Sequence, residues 1–192
     1  YWFEPTEYYA RLNRVQERLK ARDLDAMLAF LPETVTWLTG YFTRAYGTFQ
    51  FAIIPAEGAP TLFCRDVEEY YLDSTCVFPD RVMWSDSDDR LTVAVGAVTP
   101  RVGTAAAVGI EKGAWVLDAA RWEAISEALK GARIEDVTGM VGDMRKIKSD
   151  AEIAFQRKAA RAAEAGMQAG IETAGTGVTE REMAAEICAA MI

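Results

Sequence analysis

Residues 144–153 read MRKIKSDAEI, and the character of the chain changes at this stretch. Before it, short apolar runs alternate with amphipathic segments, and after it a long alanine-rich segment follows. Ser149 and Glu152 have the spacing of a capping box, in which the serine hydroxyl accepts from a backbone N–H and the glutamate reaches back. The stretch therefore predicts the start of a long helix and a boundary between a domain of residues 1–147 and a second of residues 148–192.

The second predicted domain contains two helices. Small and apolar residues form a stripe along the first helix, and their size predicts a close approach to a partner; they are Ile153, Ala160, Ala163, Met167, Gly170, Ile171 and Ala174. The glycines at 175–177 then break the helix, and Thr179 with Glu182 forms a second capping box. The last helix also has an apolar face, which predicts a packing partner further along the chain.

The first predicted domain has the element order of an α/β fold. Tyr8, Leu12, Val15 and Leu19 recur at helical spacing and predict one buried helix face. The candidate strands after this helix are residues 26–30, 49–54, 61–64, 82–84, 107–111 and 133–137. The candidate helices between them are residues 32–40, with Gly40 as the predicted C-cap, and residues 66–73, 91–98 and 117–129. A turn-rich stretch at residues 55–60 predicts a hairpin, so the sheet is expected to be mixed and flanked by helices.

The composition restricts the chemistry that the chain can perform. It contains no histidine, which removes the usual general base and the commonest transition-metal ligand. The net charge of -8 argues against general binding to nucleic acids or anionic membranes. Three cysteines at irregular spacing suit the reducing cytoplasm, and no apolar run approaches the ~20 residues that span a bilayer. We therefore expect a cytoplasmic globular protein with neither nucleic-acid nor membrane partners.

Two acidic groups in the sequence have ordinary explanations. Asp86, Asp88 and Asp89 lack the central glycine and the closing glutamate of a calcium loop, so they predict a solvated loop. Glu68 and Glu69 are adjacent and point in different directions on a helix, so both are predicted to be surface charges. We assign no catalytic residue and no metal ligand to this chain.

The segment from residue 41 to residue 49 alternates aromatic with polar side chains. It lies between a predicted helix and a predicted strand, where binding loops often occur. Two interpretations remain open at this point. The segment is either a hydrophobic flank that closes the core or part of a binding site.

Five stretches of the sequence, taken together, indicate a resemblance to a known superfamily. They are EYYARL at residues 7–12, DLDAML at 23–28, VTWLTGY at 35–41, VGIE at 108–111 and the motif RxIKSxxEI at 145–153. In that order and at those separations they resemble the creatinase, prolidase and aminopeptidase P superfamily, the "pita-bread" hydrolases. The last motif is the most specific, since it resembles the junction between the N-terminal and catalytic domains of these enzymes. The resemblance covers nearly the whole chain.

The resemblance implies a fold and a chemistry. The implied fold is an N-terminal α/β domain with a mixed sheet flanked by helices, followed by the first two helices of a pita-bread catalytic domain. Enzymes of this superfamily use two divalent metal ions (Mn, Co or Zn), held by two aspartates, a histidine and two glutamates. The resemblance puts all five ligands beyond residue 192. It therefore implies that this chain is inactive alone and that a longer parent protein hydrolyses a C–N bond.

The resemblance also implies a substrate-binding segment. In creatinase, an aromatic residue and an arginine from one subunit's N-terminal domain hold the substrate carboxylate in the neighbouring subunit's active site. An alignment without gaps from Gly40 puts these positions at Tyr46 and Thr48, and threonine lacks the bidentate grip of arginine. Arg44 and Arg65 are the candidates to replace it.

The implied function is the dimerisation and substrate-capping part of a metal-dependent hydrolase. The implied substrate is a small peptide, as for Xaa-Pro dipeptidases, or a small amide or guanidino compound, as for creatinase and ectoine hydrolase. The expected assembly is a homodimer. The alternative is a non-catalytic pita-bread module that binds peptides or proteins, and the metal ligands beyond residue 192 distinguish the two.

Overall fold

A computed structural model of the chain describes residues 2–102 and 104–192, which divide into two compact units between Met144 and Arg145. The helices of the first unit are α1 (Pro5–Lys20), α2 (Pro32–Thr39), α3 (Glu69–Thr75), α4 (Arg90–Val102), α5 (Ala119–Ala128) and α6 (Met140–Met144). Its strands are β1 (Ala26–Ala29), β2 (Phe51–Pro55), β3 (Thr61–Arg65), β4 (Arg81–Trp84), β5 (Ala107–Ile110) and β6 (Arg133–Asp136). A 3₁₀ turn at Asp66–Glu68 precedes α3.

The strands form one mixed sheet in the order β4-β3-β2-β1-β5-β6. The hairpin strands β2 and β3 are antiparallel, and β1 is antiparallel to β2. The pairs β1–β5, β5–β6 and β3–β4 are parallel. The α/β class and the mixed sheet flanked by helices are therefore confirmed.

Helices cover both faces of the sheet. Successive strand residues point to opposite sides, so each strand contributes side chains to two cores. Met27 and Ala29 of β1 belong to the core beneath α1, α2, α3 and α6. Leu28 belongs to the second core beneath α4 and α5, which is rich in phenylalanine. The four apolar residues predicted on one face of α1 are all buried, so the helical spacing located this face correctly.

Gly40 ends α2 and directs the chain toward the carboxyl ends of the parallel strands. Its φ is 78°, and its N–H donates to the carbonyl oxygen of Thr36 at 2.9 Å. This left-handed conformation favours glycine, as expected for the predicted C-cap. A Cβ at this position would lie 2.6 Å from the carbonyl oxygen of Thr75. The position therefore requires glycine both for its backbone angle and for its space.

Several element bounds differ from the sequence predictions, and one short helix was not predicted. The strand expected from residue 49 begins at Phe51, because the preceding residues belong to an irregular segment. The helix expected at residues 91–98 continues to Val102 through Pro100. Proline removes the bond to the carbonyl four residues earlier, but that carbonyl belongs to Gly96, an exposed residue, and can bond to water. The short α6 was not predicted, since its five residues are too few to show a helical period.

The second unit consists of α7 (Asp150–Thr173) and α8 (Glu180–Met191). Both predicted capping boxes are present at Ser149 and Thr179. The predicted stripe is only partly correct, since Met167 and Ile171 are 68% and 63% exposed. The helices meet at Gly170, which belongs to the predicted stripe, and at Gly166, which does not; a Cβ at either position would lie within 3 Å of side-chain atoms of α8. Side-chain volume therefore determines the contact face, because only glycine admits the α8 side chains.

The described residues contain neither a disulfide nor a helix long and apolar enough to cross a membrane. Cys64 and Cys76 are buried, and Cys188 is exposed. Burial raises the pKa of the Cys64 thiol to about 12 and also raises the pKa of Cys76. The two buried cysteines therefore act as small apolar core residues.

Candidate substrate-binding site

The residues predicted to bind substrate lie at one edge of the sheet. Ala29 at the end of β1 pairs with Ala52 near the start of β2. Arg65 at the end of β3 pairs with Trp84 at the end of β4. The carboxyl ends of the parallel strands therefore lie beside the start of β2, and we call this side of the sheet the carboxyl edge. In open α/β sheets, ligands bind outside this edge.

The irregular segment of residues 41–50 runs along the carboxyl edge and enters β2. Its aromatic residues divide into two groups. Tyr41 and Phe49 are each 1% exposed, whereas Phe42 and Tyr46 are 43% and 61% exposed. The two interpretations left open by the sequence thus apply to different residues. One group closes the core, and the other lies on the surface where a ligand could reach it.

A buried hydrogen bond fixes the beginning of this segment. The Tyr41 hydroxyl donates to Oε2 of Glu68 at 3.1 Å, and Glu68 is only 4% exposed. The prediction that Glu68 is a surface charge was wrong, because the 3₁₀ turn after β3 directs its side chain inward. Glu69 is exposed as predicted. Burial raises the pKa of Tyr41, so the hydroxyl remains a donor at neutral pH.

Arg44 is the one charged residue of the segment. Its side chain is exposed, and within residues 2–102 and 104–192 it forms no ion pair or hydrogen bond. An exposed guanidinium without a partner keeps its five N–H donors available to an anionic group. Arg44 can therefore bind a carboxylate without first losing another contact.

Tyr46 contacts a residue that sequence reasoning did not identify. The ring of Trp115, in the loop after β5, lies edge-on to the Tyr46 ring with 6.3 Å between centroids. Trp115 is 59% exposed. Its position between the apolar residues Ala114 and Val116 was the only signal in the sequence. That pattern predicts an outward-facing side chain but does not predict its neighbour.

Thr48 and Arg65 line one open cleft of about 530 Å³ at the carboxyl edge. The other lining residues are Trp84, Asp86, Asp88, Asp89 and Arg90. Arg65 forms an ion pair with Asp86, which raises the pKa of the arginine. The structure thus brings Thr48 and Arg65 together, but the Arg65 guanidinium is already paired.

The acidic loop beside this cleft has structural roles. Asp88 accepts from the backbone N–H of Ser85 at 2.6 Å. Asp89 accepts from the Leu91 N–H and the Thr92 hydroxyl at the start of α4. Within the described residues, no three acidic, cysteine or histidine side chains are arranged to hold a metal ion. The loop therefore caps a helix and pairs with Arg65.

A buried carboxyl group connects β5 to the start of α2. Glu111 is 0% exposed, and its Oε2 accepts from the Leu31 N–H at 2.9 Å. Its Oε1 accepts from the Thr34 hydroxyl at 2.7 Å. Burial raises the pKa of Glu111 to about 7, although both hydrogen bonds oppose this shift. Sequence reasoning did not identify this titrating group, because its partners lie far away along the chain.

Comparison with known proteins identifies the family of this chain. The model of the creatinase/prolidase N-terminal domain matches residues 11–147. The chain is 29% identical to a protein described as an uncharacterised hydrolase/peptidase of Sinorhizobium fredii, over 96% of this chain and 50% of the relative. It is 26% identical to the ectoine hydrolase of Halomonas elongata, over 96% and 49%. The crystal structure of a prolidase from Thermococcus sibiricus superimposes with a TM-score of 0.74 at 20% identity, over 94% of this chain and 48% of that one.

These matches have two consequences. The chain spans about half the length of the curated relatives that it matches. The solved structure has the same fold, in agreement with the mixed sheet and its flanking helices. Since the family model covers most of the chain, the protein belongs to the creatinase/prolidase N-terminal domain family.

Proposed function

We propose that this chain is the substrate-capping part of a longer, homodimeric, metal-dependent hydrolase that cleaves a C–N bond. Residues 1–147 are the N-terminal domain, and residues 148–192 begin the catalytic domain. The related hydrolases, which the chain matches over about half of their length, support this division. The segment of residues 41–50 then reaches the active site of the neighbouring subunit.

The proposed metal ions bind outside this chain. The chain has no histidine, and the described residues form no cluster with three suitable side chains. The donor set required for two divalent ions (Mn, Co or Zn) therefore does not fit the residues present. We propose that the ligands belong to the remaining part of the longer protein, and that this chain contributes only substrate contacts.

The observation that carries the proposal is the exposed Arg44, which has no partner among the described residues and lies on a segment fixed at the carboxyl edge. A charge-assisted bond to a carboxylate requires a guanidinium with free donors. Arg44 meets this requirement, whereas Arg65 would have to leave Asp86 first. We therefore assign the substrate carboxylate to Arg44 and the apolar part of the substrate to the Tyr46 ring. Thr48 and Arg65 line the adjoining cleft.

The substrate class is a small peptide or a small amide that carries a carboxylate. The match to an ectoine hydrolase and to a hydrolase/peptidase supports both classes. The proposed substrates include guanidino compounds that carry a carboxylate, since Arg44 would bind the carboxylate and not the guanidino group. The enzyme is expected to act in the cytoplasm.

Replacing Arg44 with alanine in the longer protein should raise KM by roughly ten- to a hundredfold, the loss expected for one charge-assisted hydrogen bond. The kcat should change much less, because the metal-bound part of the site is intact. Steady-state kinetics with Xaa-Pro dipeptides and with ectoine measures both constants.

Arg18 provides the matched control, since it is an exposed arginine on α1, away from the carboxyl edge. Arg18→Ala should leave KM unchanged. An equal KM in the Arg44→Ala variant and the unmodified protein would refute the assignment. Binding of peptides without any hydrolysis by the longer protein would favour the non-catalytic module instead.

A further inference from the structure

The substrate-capping segment, residues 41–50, has few anchors of its own near Tyr46. The hydrogen bonds close to Tyr46 are local: the Thr48 N–H donates to the Ala45 carbonyl at 2.9 Å, and the Ala45 N–H donates to the Thr43 hydroxyl at 2.8 Å. The Gln50 amide reaches the Tyr46 carbonyl only at 3.4 Å. None of these bonds fixes the orientation of the Tyr46 ring, so that orientation must depend on another part of the molecule.

Trp115 supplies that contact from a separate loop. The two rings meet edge to face, with an angle of 80° between their planes. The backbone of the segment also passes close to the indole, since a Cβ on Gly47 would lie 3.7 Å from Cη2 of Trp115. Trp115 thus adjoins both the Tyr46 ring and the next residue of the segment.

The loop that carries Trp115 is itself well fixed. The Gly113 N–H donates to the Thr138 hydroxyl at 2.8 Å. The Ala114 N–H donates to the Glu111 carbonyl at 3.1 Å, and the Leu117 N–H donates to the Ala114 carbonyl at 2.9 Å. The residues on either side of Trp115 are buried. The indole therefore projects from a fixed base onto a segment with weaker anchors.

We propose that Trp115 is a positioning residue, which holds the Tyr46 ring in the orientation that receives the apolar part of the substrate. This inference rests on the function proposed above. The exposure of both rings, 59% and 61%, supports it, because a tryptophan that served only the core would be largely buried. The exposed indole face adjoining Tyr46 also extends the apolar surface that a substrate meets.

The first test uses the 192-residue chain and needs no enzymatic activity. Trypsin cleaves after Arg44 only when the segment opens, so the rate of this cut, followed by mass spectrometry, reports how firmly the segment is held. Trp115→Ala should accelerate the cut by about two- to tenfold, the range expected for loss of one aromatic pair. Trp115→Phe, which keeps an aromatic ring, should restore a rate close to that of the unmodified chain.

Trp122→Ala is the control for loss of an indole elsewhere, because this tryptophan lies on α5, beside Lys112 and against the second core. It should leave the cut after Arg44 unchanged. An unchanged cleavage rate in the Trp115→Ala variant would overturn the inference. Thermal unfolding of each variant separates local opening from global loss of stability.

The second test uses the longer protein and measures KM against kcat. Trp115→Ala should raise KM by about two- to tenfold with little change in kcat, and Trp115→Phe should reverse most of the increase. Faster cleavage combined with an unchanged KM overturns the inference. If the longer protein hydrolyses no substrate, the proposed function fails, and the cleavage rate still decides whether Trp115 holds the segment.

Discussion

Gly40→Ala should lower the free energy of unfolding by roughly 2–5 kcal/mol, because two penalties add at this position. The first is backbone strain, since φ is 78° and an L side chain in the left-handed region costs roughly 1–2 kcal/mol. The second is steric. The new Cβ would lie 2.6 Å from the Thr75 carbonyl oxygen and 3.0 Å from Cζ of Tyr8, and such overpacking costs roughly 1–3 kcal/mol. Urea unfolding followed by tryptophan fluorescence measures the loss.

Gly131→Ala separates the two penalties. Gly131 also has a positive φ, 98°, but no heavy atom lies within 4 Å of the position that its new methyl group would occupy. This control should therefore lose only the strain contribution of roughly 1–2 kcal/mol. Equal losses at the two glycines would show that the carbonyl of Thr75 does not restrict position 40. A larger loss at Gly40 would show that α3 packs closely against the start of the segment of residues 41–50.

The stability of the chain should fall as the pH rises from 5 to 8, and Glu111→Gln should remove most of that fall. Burial raises the pKa of Glu111 from its ordinary value of 4.5 to about 7. A raised pKa means that the folded state favours the protonated carboxyl group. The stabilisation is complete below pH 4.5 and is lost as the pH passes 7. At 1.36 kcal/mol per pKa unit, the loss is about 3 kcal/mol.

Since the chain contains no histidine, no imidazole titrates in the same pH range as Glu111. Glutamine keeps an oxygen for the Leu31 N–H and an amide group for the Thr34 hydroxyl without a charge. Urea midpoints at pH 5, 6, 7 and 8 test the prediction. Glu123→Gln is the control, since Glu123 is an exposed residue of α5 and should leave the pH dependence in place. The same pH dependence in the Glu111→Gln variant would contradict the assignment.

Features encoded by neighbouring residues could be predicted from the sequence. Ser149 with Glu152, and Thr179 with Glu182, form capping boxes as expected, because both partners lie within one helical turn. The apolar face of α1 followed from its spacing alone. Gly40 was recognised as a helix end for the same reason, since a left-handed residue is a local requirement.

Features that depend on the sheet register could not be predicted. Tyr41 meets Glu68, and Thr34 meets Glu111, only because the strands bring distant residues together. A sequence without its register provides no partner for these side chains, so Glu68 was mistaken for a surface charge. Trp115 was missed for the same reason. The sequence therefore predicted which segment carries the candidate site. Only the structure showed the contacts that hold this segment in place.

In the proposed function, this chain caps the substrate, and the rest of a longer protein carries out the hydrolysis. This division is tested by hydrolysis of Xaa-Pro dipeptides in the presence of manganese, cobalt or zinc, with bound metal determined on the same samples. We expect no hydrolysis and no stoichiometric metal for the 192-residue chain, and hydrolysis by the longer protein. Dipeptide hydrolysis by the chain alone, together with tight metal uptake, would show that the division is wrong.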